Sequence, residues 1–193
     1  MKRNSKKGFT LVELLVTLVV GGVLVTIAAP SFQGAIARNR VATLTNEMVG
    51  SLNIARSEAI KRGVRVTVCK SSDQLTCTGT WSDGWIVFSD EGVKETIDGG
   101  DEILRIHGDI GQGRSFEWYG EDESSSSVDA VSFLSTGFTS AGVKGTFTTC
   151  DSTDNVKNAR GIVISKTGQT RLSIDSDTNG IHEDKFGNAL TCS

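Results

Sequence analysis

Gly8-Phe9-Thr10-Leu11-Val12-Glu13 stands between a short basic leader and a 21-residue apolar run, and its reading decides the fold. The leader Met1 to Lys7 carries Lys2, Arg3, Lys6 and Lys7 and no acid, while the run from Phe9 to Ala29 holds a single charge, Glu13. About 20 apolar residues at 1.5 Å rise span the hydrocarbon core of a bilayer. The run therefore reads as one membrane crossing with its basic end cytoplasmic, as the positive-inside rule requires.

Glu13 is the anomaly in that crossing. On insertion scales an acid near the centre of a span costs about 2.5–3.5 kcal/mol, and it is rare without a partner. If a peptidase cuts after Gly8, the new terminus at Phe9 is a cation four residues from Glu13, and a neighbouring copy of the helix can present its amine to this carboxylate. Opposite charges about 4 Å apart at an effective dielectric near 20 attract by roughly 4 kcal/mol, enough to offset the burial. The acid then sets the register of helix stacking. A Sec signal peptide would share the basic start and offer Ala28-Ala29 as its exit. Its apolar region is usually about 7–15 residues, however, and it would hold no acid and have no Pro30 directly after the cut. A plain single-pass anchor explains the length but neither Glu13 nor Gly8.

These residues resemble the class III signal of type IV prepilins and type II secretion pseudopilins. The resemblance implies a prepilin peptidase that cleaves between Gly8 and Phe9 and methylates the exposed Phe9 amine. It places Glu13 fifth after the cut, as that family requires, and Pro30 twenty-second, where many pilins carry proline. Gly8, Phe9, Glu13 and Pro30 are thus the expected processing and assembly residues.

Beyond Pro30, 163 residues suit one domain preceded by a helix. Net charge is −3, and losing the four leader cations takes it to −7, which argues against a whole-molecule attraction to nucleic acid. Four cysteines outside the cytoplasm read as two disulfides with three connectivities open. The favoured pairing is Cys69 with Cys77, closing a short polar loop, and Cys150 with Cys192, tying the C-terminus to a strand. Neither pair has a CxxC zinc spacing.

Phe32, Ile36, Val41, Leu44, Met48, Leu52, Ala55 and Ala59 recur mostly at three- and four-residue intervals, one stripe of an amphipathic helix. Lys61 and Arg62 suit its last turn and Gly63 its left-handed cap. Gly21, Gly22 and Pro30 are its weak points, where a packed filament would melt or kink it. From Val64 the period changes to two. Strands are expected at Val64–Cys69, Trp85–Ser89, Glu102–His107, Ser115–Tyr119, Val131–Leu134, Gly145–Thr149, Arg160–Ser165 and Thr170–Ile174. Ser165 to Gln169 reads as a hairpin connection and Ser124 to Ser127 as a flexible loop. The expected fold is α+β and type IV pilin-like, a long N-terminal helix with a membrane half and an amphipathic half, packed on an antiparallel sheet domain. Its parts are a leader (1–8), a transmembrane and assembly helix (9–29), an amphipathic helix (30–63) and a β-rich globular domain (64–193).

The globular part is similar to the GspH/FimT group of minor pilins and pseudopilins. Cys69, Cys77, Trp81-Ser82-Asp83-Gly84-Trp85-Ile86-Val87-Phe88, Asp90, Asp101 to Arg105 and Gly168 to Arg171 carry that likeness. The cysteine-bracketed loop before Trp81 leans toward the minor pilins of type IV pili. Trp81 and Trp85 are expected in the core, with their N–H groups on local acceptors.

Two further constellations stand out. Asp175-Ser176-Asp177-Thr178-Asn179-Gly180 matches the first six places of a calcium loop. The twelfth place is Phe186 where a bidentate glutamate belongs, leaving Glu183 and Asp184 as substitutes; the competing reading is a solvated acidic turn. Lys157, Arg160, Lys166 and Arg171 surround the last hairpin and would meet DNA phosphates if they act together. FimT-like pilins implicated in DNA uptake carry a basic motif after a glycine, but Gly168 is followed here by Gln169, so a solvated strand face is the stronger reading. His107 and His182 lie in a strand and an acidic loop without a nucleophile elbow, phosphate loop or zinc motif, so the chain does not read as an enzyme.

The combined expectation is a minor pilin that primes or caps a type IV pilus. Its partners would be prepilin peptidase, the major pilin and other minor pilins. It would be held in the inner membrane with a periplasmic domain before reaching the filament at the cell surface. The corresponding type II secretion pseudopilin is the alternative, and a DNA-binding minor pilin a further one.

Overall fold

One helix, α1, runs Leu11–Arg62 in the computed structural model, which describes residues 8–111, 114–120, 128–140, 143–153 and 155–192, with the side chains of 27–33 and 120 outside the described set. The expected leader (Met1 to Lys7) and the loop Ser124 to Ser127 fall outside these residues. The chain divides into two compact units, one ending at Ile36 and the other spanning Ala37–Ser193.

In the first unit the described helix from Leu14 to Thr26 is apolar all round, and its threonine hydroxyls are satisfied internally. Thr17 donates to the Leu14 carbonyl (2.8 Å) and Thr26 to that of Val23 (2.7 Å), the arrangement a helix needs where no water can pair its polar groups. The backbone is helical through Gly21, Gly22 and Pro30. Among the described residues no helix is long and apolar enough to cross a membrane; the expected segment 9–29 runs into residues whose side chains, Pro30 included, are outside that set.

In the second unit the three-and-four spacing does the packing. Val41, Leu44, Met48, Leu52, Ala55 and Ala59 are all 0–3% exposed. The stripe stops short of its expected start, since Ile36 belongs to the first unit and is 48% exposed. Gly63, at φ +73°, donates its amide to the Ala59 carbonyl (3.0 Å) and closes α1 with the left-handed cap that glycine accepts without a Cβ penalty.

Eight strands follow among the described residues: β1 (Val66–Lys70), β2 (Trp85–Ser89), β3 (Ile103–His107), β4 (Ser115–Gly120), β5 (Ala130–Phe133), β6 (Gly145–Cys150), β7 (Arg160–Ile164) and β8 (Thr170–Leu172). They form two four-stranded antiparallel sheets, ordered β3-β2-β1-β5 and β4-β6-β7-β8. Leu44, Met48, Leu52, Ala55 and Ala59 share one core with Val66, Val68 and Val131 of the first sheet and Phe147, Ile162 and Ile164 of the second. An aromatic chain joins the sheets: Trp85 stacks on Phe116 (5.7 Å), Phe116 on Phe147 (5.0 Å), and Trp81 meets Phe147 edge-on (4.8 Å). Trp85 donates its indole N–H to Ser51 Oγ and Trp81 to the Val128 carbonyl, both at 2.9 Å.

In the first sheet β1, β2 and β5 are buried on both faces, while the edge strand β3 is partly exposed. Cys69, Ile86, Phe88 and Ala130 form a second cluster, covered by Cys77, Ile97 and Ile103. The disulfide Cys69–Cys77 ties that cover down, and Cys150–Cys192 ties the C-terminus to β6.

Candidate functional site

Gly8, Phe9 and Thr10 precede α1 in non-helical backbone, and all three are exposed. Phe9 is 82% exposed. The next residues form a capping box. Thr10 Oγ1 accepts from the Glu13 amide (3.2 Å), and Glu13 Oε2 from the Thr10 amide (3.4 Å). Two of the four amides a helix start leaves unpaired are thereby engaged, and the carboxylate sits at the favourable end of the helix dipole. A cut after Gly8 leaves the box whole, because both partners lie beyond it. Glu13 therefore caps its own helix while its side chain stays exposed. The Thr-x-x-Glu spacing was the sequence signal for this role, which the membrane reading of Glu13 passes over.

From Phe9 to Val25 every large apolar side chain is 53–82% exposed. That is far more contiguous apolar surface than a soluble monomer usually leaves uncovered, the kind of surface that marks a membrane or protein interaction site.

In the second unit, Asp175, Asp177 and Glu183 each bring one carboxylate oxygen within 4.8 Å of the others. Gly180, at φ +88°, turns the chain back on itself, and its amide donates to Asp175 Oδ2 (2.9 Å). Asp177 accepts from the Asn179 amide (3.1 Å) and side-chain NH2 (2.7 Å), while Asn179 Oδ1 accepts from the Ile181 amide (2.7 Å). Glu183 is only 7% exposed, and its Oε2 accepts from the Ser176 amide (2.7 Å) and hydroxyl (3.0 Å). The remaining oxygens, Asp175 Oδ1 and Glu183 Oε1, are buried and receive no hydrogen bond from the described residues. Leaving a buried acceptor unpaired costs about 1–3 kcal/mol, and more for a charged one. Asp184, the other candidate substitute, is committed to its own turn through the Phe186 (2.7 Å) and Asn188 (2.9 Å) amides.

The basic residues divide. Arg160 opens β7 at the far end from the Ser165–Gln169 turn, is half-buried, and donates to the Ala159 carbonyl (2.7 Å). Burial, and then the charge of Arg38, hold its pKa below the usual arginine range. Lys157 lays its stem beside Gly180. Lys166 and Arg171 sit instead with Lys144 and Lys185, two lysines that no motif groups with them. Burial first, then neighbouring positive charges including Lys166, lower the pKa of both Lys144 and Lys185. Arg171 and Lys185 line a groove with Arg56, Asn53 and Thr170.

The histidines are engaged in packing. His107 stacks on Trp85 at 3.7 Å with Nε2 2.9 Å from Glu47, and His182 Nδ1 lies 2.8 Å from the Ser173 carbonyl. A buried carboxylate that the sequence did not single out for its chemistry is Asp90, 1% exposed, bonded by Arg65 (2.8 Å), Thr67 (2.5 Å) and the Glu95 amide (3.0 Å). Burial pushes its pKa up, but these hydrogen bonds outweigh it and hold the group below the usual carboxylate range.

Comparison with known proteins bears on both units. The sequence profile of the family described as type II transport protein GspH matches residues 44–168, and that of the prokaryotic N-terminal methylation motif matches residues 3–29. The fimbrial protein EcpC of Eikenella corrodens is 27% identical over 143 residues, 67% of this chain and 89% of that protein. The type IV major fimbrial protein FimA of Dichelobacter nodosus is 33% identical over 67 residues, 35% of this chain and 41% of that protein. The chain thus spans about two fifths of the length of the first curated relatives it matches. Its fold is similar to that of the type IV minor pilin FimU of Pseudomonas aeruginosa strain PAO1, with a TM-score of 0.55 and 20% identity over 71% of this chain and 90% of that one.

Proposed function

Because the chain belongs to the family described as type II transport protein GspH, we propose that it is a minor pilin of a type IV pilus, made as a prepilin, cut between Gly8 and Phe9, methylated on Phe9 and built into the filament. One observation carries this reading: an exposed Gly8–Phe9 peptide leads directly into a helix whose large apolar side chains from Leu11 to Val25 are all exposed. Such a helix is a half-finished interface. In the inner membrane lipid would cover it, and in a filament the equivalent helices of the major pilin and other minor pilins would. The freed Phe9 amine of one subunit would meet Glu13 of its neighbour and fix the stacking register, with about 4 kcal/mol of attraction at 4 Å and an effective dielectric near 20. Fimbrial relatives support the pilus rather than another machine. The family's description favours a second reading, the corresponding pseudopilin of type II secretion, which would use the same N-terminal chemistry.

Mass spectrometry of the chain extracted from membranes of its own cells tests the processing step. The expected first residue is N-methyl-Phe9, and a chain that keeps residues 1–8 in assembled material would sink the proposal. Deletion of the gene separates the two machines: the pilus reading expects loss of surface fibres with secretion intact, and the reverse pattern would assign the chain to secretion.

A further inference from the structure

We propose that Asp175, Asp177 and Glu183 form a calcium site, a reading that uses no residue of the assembly segment and stands apart from the filament proposal. Three carboxylates with a formal charge of −3 meet here, and every candidate donor is a hard oxygen. One oxygen of each lies within 4.8 Å of the others, which fits ligands on opposite sides of one ion, because Ca²⁺ holds its oxygens at about 2.3–2.6 Å whereas Mg²⁺ needs about 2.0–2.1 Å and gives up water reluctantly.

The acidic cluster alone would be an ordinary turn. What distinguishes it is Glu183, whose side chain is more than nine-tenths buried and whose Oε1 receives no hydrogen bond from the described residues, as is also true of Asp175 Oδ1. The bonds that are made leave those two oxygens over. Gly180 engages the other oxygen of Asp175, and Ser176 the other oxygen of Glu183, so both carboxylates are oriented by one oxygen while the second is kept from solvent and donors. Three carboxylates brought this close repel unless a cation lies between them. The site departs from the usual twelve-residue loop by taking its last acid from the ninth place, Glu183, and leaving Phe186 at the twelfth 49% exposed. Its affinity should accordingly be that of an extracellular module, with Kd about 10⁻⁴–10⁻³ M.

The test uses the full chain in detergent micelles, stripped with EDTA and titrated with CaCl2 by calorimetry and thermal unfolding. One site in that range is expected, with Tm raised by about 3–10 °C at a concentration 10 to 100 times Kd. Asp177→Asn changes an exposed side chain. It should leave the EDTA-treated Tm in place and weaken calcium binding at least tenfold. Glu183→Gln should abolish binding, and Asp184→Asn should not alter it. Neither heat nor a Tm shift with CaCl2 in the native chain overturns the proposal, as does binding that Asp177→Asn leaves unchanged. If Glu183→Gln fails to fold, Asp177→Asn decides.

Discussion

Glu13 is asked to do two things that a single substitution separates. Its amide and carboxylate close a box with Thr10 at the head of α1, and the proposed filament also needs its charge. Glutamine serves as well as glutamate at the third position of a capping box. Glu13→Gln should therefore leave the helix content of the membrane-extracted chain unchanged while lowering its incorporation into fibres at least tenfold, because about 4 kcal/mol of ion pairing is lost. Equal incorporation of the variant and parent, counted by immunoblot of sheared fibres, would remove the charge from the assembly step. Asp90 gives a prediction of the opposite kind, on stability alone. Its folded pKa lies below the unfolded value, so its contribution is complete above the unfolded carboxylate range, near about 3.9, and is lost as pH falls through that value toward the folded one. Asp90→Ala takes the carboxylate from Arg65, which keeps the Gly92 carbonyl (3.1 Å), and should cost about 1.5–3 kcal/mol at neutral pH. Urea midpoints measured from neutral to acid pH should converge between parent and variant. Asp73, Asp83 and Asp151, whose carboxyls are also held low, lower both curves alike, so the gap between the curves reports Asp90.

At the level of elements, α1 changes function between Ile36 and Val41, and burial marks the change. Leu52 is fully buried in the core that both sheets share, whereas Ile36 is 48% exposed. Leu52→Ala should destabilise the folded domain by about 2–5 kcal/mol in urea unfolding, while Ile36→Ala should stay within about 0.5 kcal/mol; comparable costs would mean that the core reaches further along α1. The helix stripe, its Gly63 cap and the eight strands were legible in the sequence because each is a local pattern of period 3.6 or 2 ended by glycine or polar residues. The division into two sheets was not, because β1 meets β5 and β4 meets β6 across long intervening stretches, and no local period records a non-local pairing. The same reason hid the company of Lys166 and Arg171, since Lys144 and Lys185 belong to separate loops with no shared motif. The calcium-like run was visible through Gly180. That Glu183 and not Asp184 completes the cluster depended on the turn that commits Asp184 to Phe186 and Asn188.

For the whole molecule, the two disulfides make a graded prediction. A crosslink acts chiefly by restricting the unfolded chain, and its effect grows with the logarithm of the loop it closes. Cys69–Cys77 spans 8 residues and Cys150–Cys192 spans 42. The loop-entropy relation gives about 2.5 kcal/mol for the first and about 4 kcal/mol for the second. Placement works in the same direction. Cys77 lies at the rim of a cluster that Ile97 and Ile103 also cover, whereas Cys150 and Cys192 hold Leu190 and Ala159 in a cluster that includes the C-terminal segment. Replacing Cys150 and Cys192 together by serine should therefore lower the urea midpoint more than replacing Cys69 and Cys77. The double change should also expose the C-terminal segment to protease at temperatures where the other variant resists. A larger loss from the Cys69–Cys77 variant would mean that the cover over the first sheet, rather than the closed C-terminal loop, limits the stability of the domain.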